Sequence, residues 1–269
     1  MHLHTTASDG QLRPSELVQL ARQHAFNAIA ITDHDTTAGI PEAQQTAQGW
    51  PVIVPGIELS ADDDGVDVHV LGYDIDIENA SFQAELARFR EDRLGRARRI
   101  VERLAQLGLP VAYERVLHLA DGGSVGRPHI ARALLEAGHV ESVRDAFDRY
   151  LYTGGPAYVA RARLTPEAAI ALIHSAAGVA VLAHPGLVPH YFPLIEERLI
   201  PAGLDGLEIM HPKNPEAVRQ NLHALARRYD LLITGGSDFH RPGDPIGAVQ
   251  PPADSLHLLR QRVARRAQP

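Results

Sequence analysis

Five short apolar runs in this chain each carry an imidazole or carboxylate donor within them or just beyond their ends. They are Asp33-His34-Asp35 after residues 28–31, Gly56-Ile57-Glu58 after 52–54, Asp67-Val68-His69, Ala183-His184-Pro185, and Ser237-Asp238-Phe239-His240 after 231–233. Barrels and doubly wound sheets assemble their sites at such strand ends. A sixth cluster opens the chain, where His2 and His4 flank Leu3. Alternate side chains of a strand share a face, so both imidazoles can point at one ion, with Asp9 returning from the following turn. Alone, a His-x-His pair more often marks a polar strand face than a ligand pair. Five repeats of the same placement turn the reading towards a metal site.

Composition narrows the chemistry. The chain has no cysteine, which excludes disulfides, thiolate zinc sites and iron–sulfur clusters, so any metal must sit on nitrogen and oxygen. Of fifteen histidines, six fall in the clusters above. His24, His118, His139, His174, His190, His223 and His257 lack that context and read as surface or ordinary helix residues. A net charge of -7 argues against broad electrostatic binding to duplex DNA, although bound cations and local arginines can reverse the sign inside one pocket. Neither a leader nor a spanning apolar stretch is evident, so a soluble, cytoplasmic protein without a membrane partner is expected.

At 269 residues the chain can form one domain with an insertion. Pro14 opens a helix, and strands are predicted at 28–33, 51–59 and 67–73, with a helix at 36–50. This strand–helix–strand rhythm predicts a mainly parallel sheet. It breaks near residue 74. Residues 81–107 form a long helical stripe of Phe82, Leu86, Phe89, Ala97, Ile100 and Leu104, with Arg93 on the same stripe. Further helical blocks follow at 128–137 and 143–150. Residues 75–160 are therefore expected to be a helical insertion covering the functional end of a barrel built from 1–74 and 161–269. The rhythm resumes with a helix capped by Thr165, strands at 179–183, 204–210 and 231–234, a helix from Asn214-Pro215 to residue 229, and a last helix at 255–266. No internal repeat or low-complexity segment is present.

Taken in order and spacing, His2-Leu3-His4 with Asp9, Thr32-Asp33-His34, Gly56-Ile57-Glu58, His69, Ala183-His184-Pro185 and Ser237-Asp238-Phe239-His240 resemble the PHP (polymerase and histidinol phosphatase) family over nearly the whole chain. Gly126-Arg127-Pro128-His129, Tyr150-Leu151 and Pro156-Ala157-Tyr158-Val159 resemble its branch with a helical insertion. That branch includes nucleoside 3',5'-bisphosphate phosphatases and 5'-to-3' exonucleases of short RNA. The resemblance implies an α/β fold, a distorted (β/α)7 barrel with a helical lid, and three divalent metal ions. It assigns His2, His4, Glu58 and Asp238 to the first ion, Glu58, His69 and His184 to the second, and Asp9, His34 and His240 to the third. Catalysis is expected to depend above all on Glu58, His184 and Asp238. Imidazole and carboxylate without thiolate suit manganese, zinc or iron. Asp33 is expected to orient an imidazole through its other ring nitrogen. Only Met1 precedes His2, where family members usually have a strand residue and an aspartate, so the first strand is expected to be short.

Three adjacent cations suit a doubly charged phosphate, with a hydroxide bridging the first two ions as nucleophile. Arg127 and His129, at a proline-marked helix start, are candidate substrate contacts, and the resemblance implies the same two. Arg93 either snorkels at the rim or reaches into the cleft. Lys213, the chain's only lysine, follows His211-Pro212 at a strand end, where a surface position is the simpler reading. Gly155 stands where many members of the branch have a lysine. The expected activity is phosphomonoester hydrolysis on small nucleotides such as nucleoside 3',5'-bisphosphates or AMP. Alternatives are a 5'-3' exoribonuclease on short oligonucleotides, a histidinol phosphatase, or a non-catalytic metal-binding module. Aromatic residues are 5% of the chain, too few for an extended stacking platform.

Overall fold

A computed structural model describes residues 1–160 and 164–266. The first elements are α1 (Pro14–Gln23), β1 (Ala28–Ile31), α2 (Ile40–Ala47), β2 (Val52–Asp63) and β3 (Val66–Tyr73). Helices α3 (Ala80–Gln106), α4 (Tyr113–Ala120), α5 (Arg127–Glu136) and α6 (Val143–Ala146) follow, ending in a π-helical turn at Phe147–Leu151. After them come α7 (Pro166–Ser175), β4 (Val179–Leu182), α8 (Tyr191–Pro193), β5 (Gly206–Met210), α9 (Glu216–Arg228), β6 (Leu232–Gly235) and α10 (Ser255–Arg266). The expected return to the barrel at residue 161 lies outside the described residues, as does the chain end at 267–269. Among the described residues, no helix is long and apolar enough to cross a membrane.

The fold is mixed α/β, with six strands in sequence order forming a curled sheet. Pairs β1/β2, β4/β5 and β5/β6 are parallel, whereas β2/β3 and β3/β4 are antiparallel. The mainly parallel sheet expected from the rhythm is thus corrected at its centre. Its physical cause is the two-residue turn Asp64-Gly65, with φ of 49° and 92°, which reverses the chain as a tight hairpin. The Asp62 carboxylate accepts the Gly65 N–H at 3.0 Å and reinforces that turn. Along the hairpin Ile57, Leu59, Ala61, Val68 and Val70 pack with α7 residues Ala169, Ile170 and Ile173. Glu58, Ser60, Asp67 and His69 consequently take the other face.

Residues 1–4 bring the two edges of the sheet together. The Met1 ammonium donates to Gly235 O and His4 N–H to Phe239 O, both at 2.9 Å, while Thr32 N–H donates to Leu3 O at 2.9 Å. Leu3 pairs in parallel with Phe239 and sinks among Leu17, Val18, Ile29, Ile31 and Phe239. Burying each such side chain contributes about 1.5–3 kcal/mol. With Leu3 facing that core, His2 and His4 must face the other way.

The long helix α3, about 40 Å at 1.5 Å per residue, belongs to two cores. Phe82 and Leu86 pack with the sheet and α7, whereas Ala97, Ile100, Val101 and Leu104 pack with Val116, Ile130, Leu134 and Leu151. Helix α4 is absent from the predicted elements. It spans only eight residues and buries Val116 and Ala120 alone, too short a stripe to show helical periodicity.

Gly236 is the tightest point of closure. A Cβ there would lie 2.5 Å from the backbone nitrogen of His2. Gly236→Ala is expected to destabilise the protein by about 1–3 kcal/mol and to weaken metal binding with it. Urea denaturation with and without manganese measures both, and an unchanged midpoint would contradict the tight approach.

Candidate metal centre

At the strand ends the donors converge on one carboxylate. Glu58 Oε2 lies 3.2 Å from His2 Nε2, 3.1 Å from His4 Nε2 and 3.2 Å from His34 Nδ1. Its other oxygen, Oε1, lies 2.9 Å from His69 Nδ1 and 3.2 Å from His184 Nε2. Asp238 Oδ1 lies 3.4 Å from both His2 Nε2 and His4 Nε2 and 3.5 Å from His240 Nδ1. Asp9 Oδ1 meets His240 Nε2 at 3.3 Å and His4 Nδ1 at 3.8 Å, and Asp9 Oδ2 lies 3.9 Å from His34 Nε2. The nine predicted ligands therefore gather in one cluster.

His2, His4, Glu58 and Asp238 form one compact set, and Asp9, His34 and His240 form another that also takes in His4. Around Glu58 and His69 the compact set is completed by His34, while His184 approaches the same Glu58 oxygen as His69 does.

Backbone geometry aims several of these groups. Asp35, His184 and Asp238 adopt φ of 53°, 29° and 53° just past the ends of β1, β4 and β6. Left-handed conformation costs a non-glycine residue on the order of 1–2 kcal/mol, and such strain persists where the surroundings enforce it. Asp33 acts differently from expectation. Among the described residues its carboxylate accepts no imidazole hydrogen bond: it accepts the Thr5 N–H and Thr5 Oγ1–H at 2.7 Å each and the Ser8 Oγ–H at 2.6 Å. Those bonds lock the turn that carries Asp9 back to the histidines, a local role that the neighbouring His34 obscures in the sequence.

The donors fit divalent cations. His4 Nδ1, His34 Nδ1, Glu58 Oε2, His69 Nε2 and His184 Nδ1 are buried without a hydrogen-bond partner. In the first set, separations of 3.1–3.4 Å are those of ligands held about 2.1 Å from a shared ion. Lone pairs converging on a point, several of them without a hydrogen-bond partner, are what an ion requires.

Three residues outside the predicted ligand set join the cluster. Glu208, fully buried on β5, receives His2 Nδ1 at 3.0 and 3.2 Å and the His184 N–H at 2.9 Å. It fixes the proton on His2 Nδ1 and leaves Nε2 for coordination. His211 Nε2 and Lys213 Nζ stand 3.8 and 3.0 Å from Asp238 Oδ2. A carboxylate inside the apolar strand 206–210, with a histidine directly after it, is the same placement that marks the other donors and could have revealed both.

The predicted substrate contacts occupy the helical side. Arg93 Nε and Nη2 pair with Asp35 Oδ2 at 2.6 and 2.5 Å, Nη2 donates to Ser60 Oγ at 3.0 Å, and Nη1 donates to Val125 O at 3.1 Å. Arg127 Nη2 pairs with Asp67 Oδ2 at 2.7 Å, and its guanidinium lies over the rings of Phe147 and Tyr158. His129 is buried, its Nδ1 accepting the Gly126 N–H at 3.0 Å.

Burial opposes charge throughout the cluster, and the neighbours decide which groups keep it. Glu58 is held well below the usual carboxylate range because His34, His2 and His69 outweigh its burial. Asp238 and Asp9 are likewise held low by their imidazole neighbours. Burial disfavours charge on His4, but Asp238 and Glu58 prevail and raise it to about 10. For His34 burial wins and lowers it to about 3.

An α/β sheet with imidazoles and carboxylates clustered at its strand ends is the architecture of a metal-dependent hydrolase. The chain belongs to the PHP domain family, whose profile matches residues 1–157. It is 39% identical over 248 residues to the 5'-3' exoribonuclease Rnm of Salmonella typhimurium, covering 90% of this chain and 85% of that protein. To the 3',5'-nucleoside bisphosphate phosphatase of Chromobacterium violaceum it is 34% identical over 250 residues, covering 91% and 87%. A solved structure from Bifidobacterium adolescentis, described as a candidate metal-dependent phosphoesterase, superposes with a TM-score of 0.87 at 36% identity, covering 97% and 94%. The chain is thus a PHP-type hydrolase of phosphoric esters that works with divalent metal.

Two outcomes follow. Without metal, His4 is raised to about 10 and His2 and His240 are also raised above 6.5, so the stability they contribute is complete below that pH and is lost as pH rises through their raised values. His34 stays neutral in the fold down to about 3 while the unfolded chain protonates near 6.5, so stability is also lost as pH falls through that window. The urea midpoint measured in chelator should therefore peak near pH 6.5; a midpoint still climbing at about pH 9 would contradict the pairing. Glu208→Gln should lower manganese affinity about 10–100-fold by loosening His2, as read by titration against a chromogenic chelator.

Proposed function

We propose that the protein removes phosphate from small nucleotide monoesters, nucleoside 3',5'-bisphosphates foremost, at a three-ion centre. The observation that carries this reading is Glu58, whose two oxygens are shared between two groups of imidazoles. On this assignment His2, His4, Glu58 and Asp238 hold the first ion, Glu58, His69 and His184 the second, and Asp9, His34 and His240 the third. Manganese, zinc and iron all suit that donor set. The bound ions would bring a water towards deprotonation near neutral pH and offset charge on the phosphoryl group.

The chain's own residues position the chemistry. Glu208 and Asp33 hold His2 and the Asp9 turn in place before substrate arrives, so little reorganisation is needed on binding. Residues 1–4, bonded to both sheet edges, act as the seventh strand of a distorted barrel. The helices of residues 75–160 act as its lid, and Arg93, Arg127 and His129 are its substrate contacts. Ser60 and Asp67, on which these arginines rest, share strand faces with Glu58 and His69. Along their strands Ser60 and Asp67 stand one pleat repeat, roughly 7 Å, from Glu58 and His69, which brings the guanidinium groups beside the ion ligands. A substrate bearing a second phosphate suits that spacing better than one bearing a single phosphate.

A second reading, 5'-3' hydrolysis of very short RNA, has one observation in its favour: the 39% identity to an exoribonuclease exceeds the 34% to a bisphosphate phosphatase. Phosphate and mononucleotide release by the manganese-loaded protein from adenosine 3',5'-bisphosphate, AMP and a short 5'-phosphorylated RNA separates the two. The bisphosphate should be the best substrate, and stepwise mononucleotide release from RNA at a higher kcat/KM would make the exonuclease primary. His184→Ala or Asp238→Asn should lower turnover about a hundredfold or more with the fold retained by circular dichroism. Wild-type turnover in either variant would sink the assignment.

A further inference from the structure

Asp238 divides its two oxygens between different neighbours. Oδ1 faces His2, His4 and His240, whereas Oδ2 faces the turn that leaves β5, with Lys213 Nζ at 3.0 Å and His211 Nε2 at 3.8 Å. That turn is firmly built. The buried Asn214 side chain donates to Glu208 O and Ile209 O at 2.9 and 3.0 Å and accepts the Gly186 N–H at 3.0 Å, while Asn214 N–H donates to His211 O at 3.1 Å.

The two donors are of different kinds. His211 is completely buried, and its Nδ1 accepts the Lys213 N–H at 3.2 Å, which leaves the ring proton on Nε2. Nε2 has no hydrogen-bond partner and is aimed at the ligand cluster. A buried donor left without an acceptor is costly, and one at a reaction centre is explained by an acceptor that arrives with the substrate. Lys213 has a side chain 56% exposed, so its ammonium touches the cluster from the mouth on a stem free to move. When cations take up the charge of Asp238, the hold of that carboxylate on the ammonium weakens, and a phosphoryl oxygen becomes the better partner.

Resting on the phosphatase reading, we propose that the turn His211-Pro212-Lys213 is the phosphate-binding arm of the site. The Lys213 ammonium and the His211 Nε2–H both donate to oxygens of the phosphoryl group being cleaved. They approach it from the β5 side, while Arg93 and Arg127 stand on the β2–β3 side. The arm confers affinity for the scissile phosphate, and the arginines confer selection for a second one.

Composition makes the test direct. Lys213 is the only lysine, and the Met1 amine is half-buried and bonded to Gly235 O, so the peptide that carries Lys213 reports its acetylation separately from that of the Met1 amine. Acetylation of the full chain is followed by mass spectrometry with manganese alone, with inorganic phosphate alone, and with both. With manganese present, phosphate should slow acetylation about tenfold, as expected when an ammonium is engaged in a charge-assisted hydrogen bond, whereas without manganese Asp238 already holds the ammonium and phosphate should leave the rate unchanged. Lys213→Met and His211→Phe should each raise the inhibition constant of inorganic phosphate about tenfold, the loss of one such bond. Manganese affinity in Lys213→Met should stay within about twofold of wild type, whereas a lysine serving only to support Asp238 would change it more. Lys213→Arg should restore most of the phosphate affinity. Acetylation indifferent to phosphate in an enzyme that still hydrolyses monoesters would overturn the arm and leave the function standing. Protection by phosphate in a protein that turns over no phosphate ester would do the reverse.

Discussion

Placing one carboxylate among imidazoles, away from water, is the constraint around which this structure is arranged. Glu58 is almost wholly buried, with His2, His4 and His34 at one oxygen and His69 and His184 at the other. A buried carboxylate is costly unless its charge is matched, so every element that supplies a partner is held by more than packing alone. Residues 1–4 hydrogen-bond both sheet edges, Asp33 ties down the turn that returns Asp9, and Glu208 grips His2 from behind. Left-handed backbone at His184 and Asp238 belongs to the same arrangement, with local strain accepted so that donors meet.

Much of this was legible in the sequence, because strand alternation and strand ends are local properties. Donor clusters at strand ends could be read from apolar runs, the family resemblance picked out the nine ligand candidates, and all nine gather. The Asp64-Gly65 dipeptide also announced its hairpin, but the surrounding strand–helix rhythm favoured a parallel crossover, and the sheet's antiparallel centre was missed. Helix α4 escaped because two buried residues make no periodic signal. Glu208 and His211 were legible by the same rule, lying within and directly after β5, but the hold of Glu208 on His2 arises only when β5 is laid against residues 1–4.

The arginines show where sequence reasoning stops. Arg93 and Arg127 drew attention as charges on a buried stripe and at a helix start. Their carboxylate partners, Asp35 and Asp67, lie 58 and 60 residues away, Asp35 directly after His34 beyond the end of β1 and Asp67 on β3 with His69. Pairings across such distances follow from topology, so no local pattern announces them. They join helices α3 and α5 to the strands beside the ion ligands, so helix position and site geometry change together.

The two-residue turn between β2 and β3 also fixes a parity. Ser60 stands opposite His69, and Asp62 opposite Asp67, only because an even count of residues separates them. One residue added to the turn would flip one strand's alternation relative to the other. Glu58 and His69 would then point away from each other, one of them into the packed layer beneath α7. The hairpin thus acts as a gauge that tolerates changes in the chemistry of its tip but not in its length, so substitution at the turn and insertion at the turn are very different events for this protein.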